Sequence, residues 1–205
     1  MRRYEFEGSI CSAAFASGDR FVVGHWRTSP FGAFTDVMWA RPDDERVLLA
    51  PTPEVAGFVR AVYSFDRVGV VDIGVSFDGR RLVVDAGEVS LTMLGGSGWR
   101  LPLGRLRPPW FTRWVEGWVA RPLLGVRTYG VGQAGIRQWY RAEEFRPVAE
   151  ATATLDRSDL GALRPFDVAV GFGFSGPPRR PSMVKLRSLL VDPLGRLDGL
   201  APLGP

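Results

Sequence analysis

Period-two alternation of apolar and polar side chains dominates this chain. Tyr4, Phe6, Gly8 and Ile10 alternate with Glu5, Glu7 and Ser9, as in a strand with one buried face. Ser17-Gly18-Asp19 turns into a second strand over 21–27, and another hairpin runs over 34–40 and 47–50 through the polar Pro42-Asp43-Asp44-Glu45 turn. The period then changes. Val55, Phe58, Val59, Val62 and Tyr63 recur at helical spacing behind Thr52-Pro53-Glu54. There the threonine caps, the proline suits the first helical position and the carboxylate suits the positive end of the helix dipole. Residues 68–77 and 81–94 read as the longest strands, joined at Asp78-Gly79. In the second of these Asp85 shares a face with Val83, Val89, Leu91 and Met93. A carboxylate in that position is paired, belongs to a site, or is displaced outward by a bulge at Ala86-Gly87.

A second helix is predicted from Pro108-Pro109, with Trp110, Trp114 and Trp118 every four residues and Phe111, Val115 and Val119 beside them, ended by Pro122. Extended pattern returns over 136–140, 148–155, 168–174 and 183–191. Because strands arrive mainly as adjacent hairpins, the fold class is mainly β (α+β): an antiparallel barrel-like or curved sheet of about nine or ten strands with two covering helices. Residues 1–192 read as a single β-rich domain, and residues 193–205, which lack periodicity, as a loosely attached tail.

Composition narrows the setting. A chain of 205 residues with 45% hydrophobic side chains fits one large domain. Cys11 is its single cysteine, so no internal disulfide forms and a reducing, cytoplasmic location is expected. Glu5 and Glu7 interrupt the first apolar segment, and no run reaches the roughly 18 apolar residues of a spanning helix. The formal net charge is +4, yet residues 100–146 carry nine arginines against three acids, together with most of the seven tryptophans. Nucleic-acid binding is nevertheless disfavoured, because those aromatics lie on an apolar helix stripe and not on a sheet face open to bases.

The candidate chemistry is sparse. Gly130-Val131-Gly132-Gln133-Ala134-Gly135 matches a dinucleotide fingerprint, but Arg127 and Thr128 precede it where a buried parallel strand is apolar, so it reads as a glycine loop. His25 is the single histidine, which removes multi-histidine metal sites; no metal and no cofactor are expected. His25 and Arg27 leave the same strand face as Phe21 and Val23. A guanidinium at the polar end of such a face needs a partner, either Asp36 or Asp85 within the fold or a ligand carboxylate. Lys185, the single lysine, shares a strand face with Met183 and Arg187, the setting in which an amine becomes a nucleophile or else stays a surface cation.

The segment 21–29 (FVVGHWRTS), the long hairpins after it and the Ala151-Thr152-Ala153-Thr154 strand resemble the acetoacetate decarboxylase-like group. That resemblance implies a curved β structure around a buried pocket, with Arg27 as a carboxylate-binding residue; in place of the adjacent lysine pair of true decarboxylases this chain has Lys185 alone. The wording around Leu48-Leu49-Ala50-Pro51, Tyr63-Ser64-Phe65-Asp66 and Gly171-Phe172-Gly173-Phe174 also resembles bacterial proteins of similar length, which brings no function with it. Two functions follow. The first is a barrel-like protein binding a small, anionic, partly apolar ligand through His25, Arg27, Asp36, Asp85, Trp114 and Lys185, with a lyase-like reaction as its enzymatic form. The alternative is a non-catalytic interaction module whose tryptophan helix lies on an anionic membrane surface or a protein partner.

Overall fold

The structure is a computed structural model that describes residues 2–100, 129–131, 135–173, 176–197 and 199–200. The predicted tryptophan helix, Trp114 included, lies outside these residues. The chain opens with β1 (Arg2–Phe15), β2 (Arg20–Thr28), β3 (Phe34–Ala40) and β4 (Arg46–Ala50), an antiparallel meander. The helix α1 (Pro53–Val62) follows, with the Thr52 hydroxyl accepting a hydrogen bond from the Val55 amide at 3.3 Å and Pro53 in its first turn. Tyr63 is its C-terminal cap and not part of its face.

Residues 68–77 are not one strand. β5 (Arg67–Val70) pairs parallel with β4, so β4, α1 and β5 form a crossover unit; β6 (Ile73–Phe77) pairs antiparallel with β7 (Arg81–Ala86). The helix between two strands is what permits the parallel pair, which a hairpin connection cannot reach. The sheet is therefore mixed, and not purely antiparallel as expected.

Residues 81–94 also divide, into β7 and β8 (Val89–Gly95), through a two-residue turn at Gly87 (φ +59°) and Glu88. That turn reverses the parity of buried positions. On β8 the odd residues Val89, Leu91 and Met93 are buried, but on β7 the even residues Leu82, Val84 and Ala86 are, and Asp85 faces outward, exposed. Asp85 is thus not an inward carboxylate, and no bulge is needed to explain it.

After β9 (Trp99–Arg100) and β10 (Tyr129–Val131) comes β11 (Arg137–Leu155), a continuous strand of 19 residues where two were expected. The charged run Arg141 to Arg146 reads as a break in the sequence, whereas it is the middle of the strand, with irregularities in register between Ala142 and Glu144 and between Val148 and Glu150. Short strands β12 (Ser158–Asp159) and β13 (Leu163–Arg164) precede β14 (Ser182–Asp192), which pairs with both β1 and β11. The expected strand over 168–174 has no strand pairing among its described residues; Val170 and Phe172 are instead buried from an irregular segment.

The hydrogen-bonded order is β5-β4-β3-β2-β1-β14-β11-β8-β7-β6, part of a 14-stranded sheet. The two ends of this path, β5 and β6, are separated in the chain by Val71 and Asp72 alone. A sheet whose edges are tied by two residues must curl until those edges meet, and the right-handed twist of strands supplies the curl. Among the described residues the seam is not closed by a strand ladder, so the architecture is a rolled open sheet and not a closed barrel.

Inside the roll, Phe21, Val23, Val37 and Trp39 of β2 and β3 meet Leu82, Val84, Leu91 and Met93 of β7 and β8. Trp39 stacks on Phe21 with ring centroids 5.8 Å apart, and its indole N–H donates to Asp19 Oδ1 at 2.7 Å. On the outer face α1 packs Phe58 against Tyr4 and Phe6, and Leu197 is buried beside them, its amide bonded to Asp192 Oδ2 at 2.7 Å. Among the described residues α1 is the single helix.

Trp39 is fully buried, and Trp39→Ala should lower the free energy of unfolding by about 3 to 5 kcal/mol in denaturant titration. A loss below about 1 kcal/mol would mean that the interior of the roll is not the folding core.

Candidate functional site

Register across the sheet places charged side chains in rows on the inner face. Ser9 on β1 is the direct partner of His25 on β2 and of Lys185 on β14, and Lys185 is in turn opposite Glu144 on β11. Residues directly opposite point the same way, so His25, Ser9, Lys185 and Glu144 form one row across four strands. The neighbouring row, toward the open end, is a chain of ion pairs. Arg27 bonds Glu7 at 2.6 Å, Arg187 bonds Glu7 at 3.0 Å and Glu143 at 3.2 Å, and Lys185 lies 3.6 Å from Glu143. Glu143 joins this row because the ladder slips there: Ala142 pairs with Leu186 but Glu144 with Lys185, leaving Glu143 as the extra residue. A similar slip opposite Glu7 leaves Arg27 as the extra residue of β2.

Ser9, Lys185 and Glu144 of the first row line a cavity of about 310 Å³ together with Phe77, Asp78, Arg80, Arg100 and Arg146, among others. The Arg80 and Arg146 guanidinium groups donate to the carbonyl oxygens of Gly95 and Gly96 at 3.0 and 3.3 Å. Glu144 is held by Arg146 and by Arg100, the latter at 3.6 Å. The buried Nε of Arg146 has no hydrogen-bond partner among the described residues. A second cavity of about 620 Å³ is walled by Trp26, Phe31, Phe34, Ile73 and Val75, with His25, Arg27, Thr35 and Glu54 among its polar members. His25 hydrogen-bonds Thr35 Oγ1 at 2.9 Å and stands edge-on to Phe77, ring centroids 5.4 Å apart. Burial holds its pKa below the ordinary histidine value, with the nearby Arg27 charge acting in the same direction.

Of the residues singled out in the sequence, His25, Arg27 and Lys185 thus share the inner face. Arg27 is satisfied by Glu7, not by Asp36 or Asp85. Asp85 is on the outside of β7, and Trp114 lies outside the described residues. Asp36 is buried on the opposite, outer face of β3. Its Oδ1 accepts from the Trp26 indole at 3.2 Å, while Oδ2 has no partner among the described residues. Gly24 leaves the necessary room, since a Cβ there would fall 2.5 Å from Asp36 Oδ1. Burial pushes the Asp36 carboxyl up to about 7, against the opposing pull of the Trp26 hydrogen bond.

Nearby, the hydroxyls of Tyr63 and Tyr140 lie within hydrogen-bond reach of each other and of the acceptor Gln138 Oε1, at 3.1 and 3.0 Å from it, with two hydrogens shared among the three contacts. Burial raises Tyr63 well above its ordinary value and Tyr140 to about 12. Sequence reasoning missed this cluster and also Glu7, Glu143, Glu144, Arg146 and Arg187. Its signal for the latter was the charged run in an otherwise strand-like stretch, at Arg141-Ala142-Glu143-Glu144-Phe145-Arg146. Among the described residues no three potential metal ligands come together, and no helix is long and apolar enough to cross a membrane.

Asp36 carries a pH test. Its native pKa is raised to about 7 while the unfolded chain releases the proton near 3.8, so the native state binds more protons in between. The contribution of Asp36 to stability should therefore be greatest below about pH 4, fall between about pH 4 and 7, and level off above, by at most about 4 kcal/mol. Asp36→Asn keeps an oxygen for Trp26 and removes the charge, so it should flatten that fall and be more stable than wild type at pH 8. Parallel stability profiles for the two proteins would show that Asp36 is not held as the acid.

A scan against protein-family models finds no match for the chain, and a search of curated proteins finds none. Among solved structures, one described as "Structural Studies of Acetoacetate Decarboxylase" is similar at a TM-score of 0.42, with 12% identity over 92% of this chain and 84% of that one. The likeness to acetoacetate decarboxylase is thus faint and confined to structure, and the functional reading rests on the residues of the interior.

Proposed function

We propose that the polar end of the rolled sheet binds a small organic anion. The observation that carries the reading is the balance of charge around the cavity of about 310 Å³, where Arg80, Arg100, Arg146 and Lys185 face Asp78 and Glu144. Excess cation in a partly enclosed space attracts anions strongly, because low-dielectric walls weaken screening. The Nε–H of Arg146 has no partner among the described residues, so it is one donor that a ligand carboxylate oxygen satisfies through a single charge-assisted hydrogen bond. Such charge-assisted contacts contribute about 1.5 to 3 kcal/mol each, or about a tenfold to hundredfold change in affinity.

Lys185 also offers a primary amine to that cavity. A lyase-like reaction on a carbonyl-bearing acid would begin with transfer of a proton from the Lys185 ammonium to Glu143, 3.6 Å away, after which the free amine attacks the carbonyl carbon and the carbinolamine takes the proton back as it loses water, leaving a C=N bond. The interaction-module alternative depends on the Trp110 to Trp118 stretch and draws no support from the described residues.

Calorimetric titration with small carboxylates should show binding to wild type and none for the corresponding methyl esters. Arg146→Met should weaken it about tenfold or more while the protein stays folded. Equal binding of acid and ester, or an unaffected Arg146→Met, would contradict the reading. Ligand retained after borohydride reduction in wild type, and lost in Lys185→Arg, would extend it from binding to catalysis.

A further inference from the structure

The two cavities lie on either side of one aromatic contact. Phe77 lines the charged cavity and His25 the larger one, and the two rings are in edge-to-face contact, their centroids 5.4 Å apart. The larger cavity has the opposite character. Aromatic rings of Trp26, Phe31 and Phe34 form one wall and the aliphatic side chains of Ile73 and Val75 on the β6 edge form another. Val75 is 41% exposed there although it is wholly apolar. The charged group at the rim is already satisfied, since Arg27 is bonded to Glu7 at 2.6 Å, and Glu54 at the start of α1 would repel a second anion. The rim therefore asks for no second carboxylate, and although Trp26, Phe31 and Phe34 pack on Phe6 and Phe58, the surface they turn to the cavity suits an apolar occupant.

Resting on the anion-binding reading, we infer that the ligand is an amphipathic monocarboxylate: its head lies against Arg146 and Lys185, and its uncharged hydrocarbon chain passes the His25–Phe77 contact into the apolar cavity. His25 and Lys185 are two strand spacings apart across β2, β1 and β14, about 10 Å, so the chain that reaches the second cavity has on the order of eight carbons. Chains that stop short of it gain nothing from its walls. Each methylene buried there should tighten binding about fourfold.

Affinities for the straight-chain acids from butyrate to decanoate test this. Wild type should bind butyrate weakly, then gain about fourfold per added methylene over the middle of the series. Val75→Asn, which makes one wall polar, and Val75→Trp, which fills the space, should each flatten that rise while leaving butyrate affinity within about twofold. Arg146→Met should weaken every member and keep the slope. Two outcomes overturn the inference while leaving the anion site standing: butyrate binding with no rise along the wild-type series, or a rise that both folded Val75 variants retain. Failure of every acid to bind wild type overturns the inference and the anion-binding reading together.

Discussion

The rest of the structure depends on one covalent constraint: the two edge strands of the hydrogen-bonded path, β5 and β6, are joined by Val71 and Asp72 alone. A flat sheet of this width would hold its edges far apart, because each strand adds about 4.8 Å. Two residues cannot span that distance, so the sheet must roll. Rolling creates an inner face, and its side chains then have to satisfy either apolar packing or one another. The chain does both at different levels: toward one end Phe21, Trp39, Leu82 and Met93 pack as a core, and toward the other Glu7, Arg187, Glu143 and Lys185 neutralise each other in a ladder of ion pairs.

That division explains why the polar end is a credible place for a ligand. An enclosed cation is expensive unless it is paired, and removing one partner of a buried pair costs more than the pair itself contributes. Here Glu7 and Glu143 balance Arg187 and Lys185, whereas Arg100 and Arg146 share the one carboxylate of Glu144. That shared carboxylate leaves its cations under-compensated, an imbalance that a ligand anion relieves. The outer face solves its own problem in another way. Asp36 has no cationic partner among the described residues, only the Trp26 indole, and holds its proton up to about pH 7.

Much of the fold was legible because period and capping signals are local. The Thr52-Pro53-Glu54 start of α1, the first two hairpins and the Asp78-Gly79 turn all follow from residues a few positions apart. What failed was non-local. Parity through residues 81–94 was carried across Gly87, where a tight turn reset it and sent Asp85 outward. The parallel pairing of β5 needed the recognition that a helix between two strands is a crossover. The site divided along the same line. His25, Arg27 and Lys185 were found by their rarity or their strand face, but Glu7, Glu143 and Arg146 become neighbours only through register between strands up to 180 residues apart in sequence, as Glu7 with Arg187 shows. The charged middle of β11 matches no element in the sequence because strands usually hide apolar side chains, and this one faces a polar interior.

The central claim is that an organic anion enters the interior beside Lys185, and the chain's own composition provides the probe. Lys185 is its single lysine, so reductive methylation with labelled formaldehyde gives one ε-dimethyl resonance that keeps the positive charge. The account predicts that this resonance shifts saturably as a carboxylate is added, does not shift with the matching neutral ester, and stays unresponsive in Arg146→Met. A lysine resonance that ignores the carboxylate, under conditions where calorimetry detects its binding, would place the anion elsewhere and contradict the account.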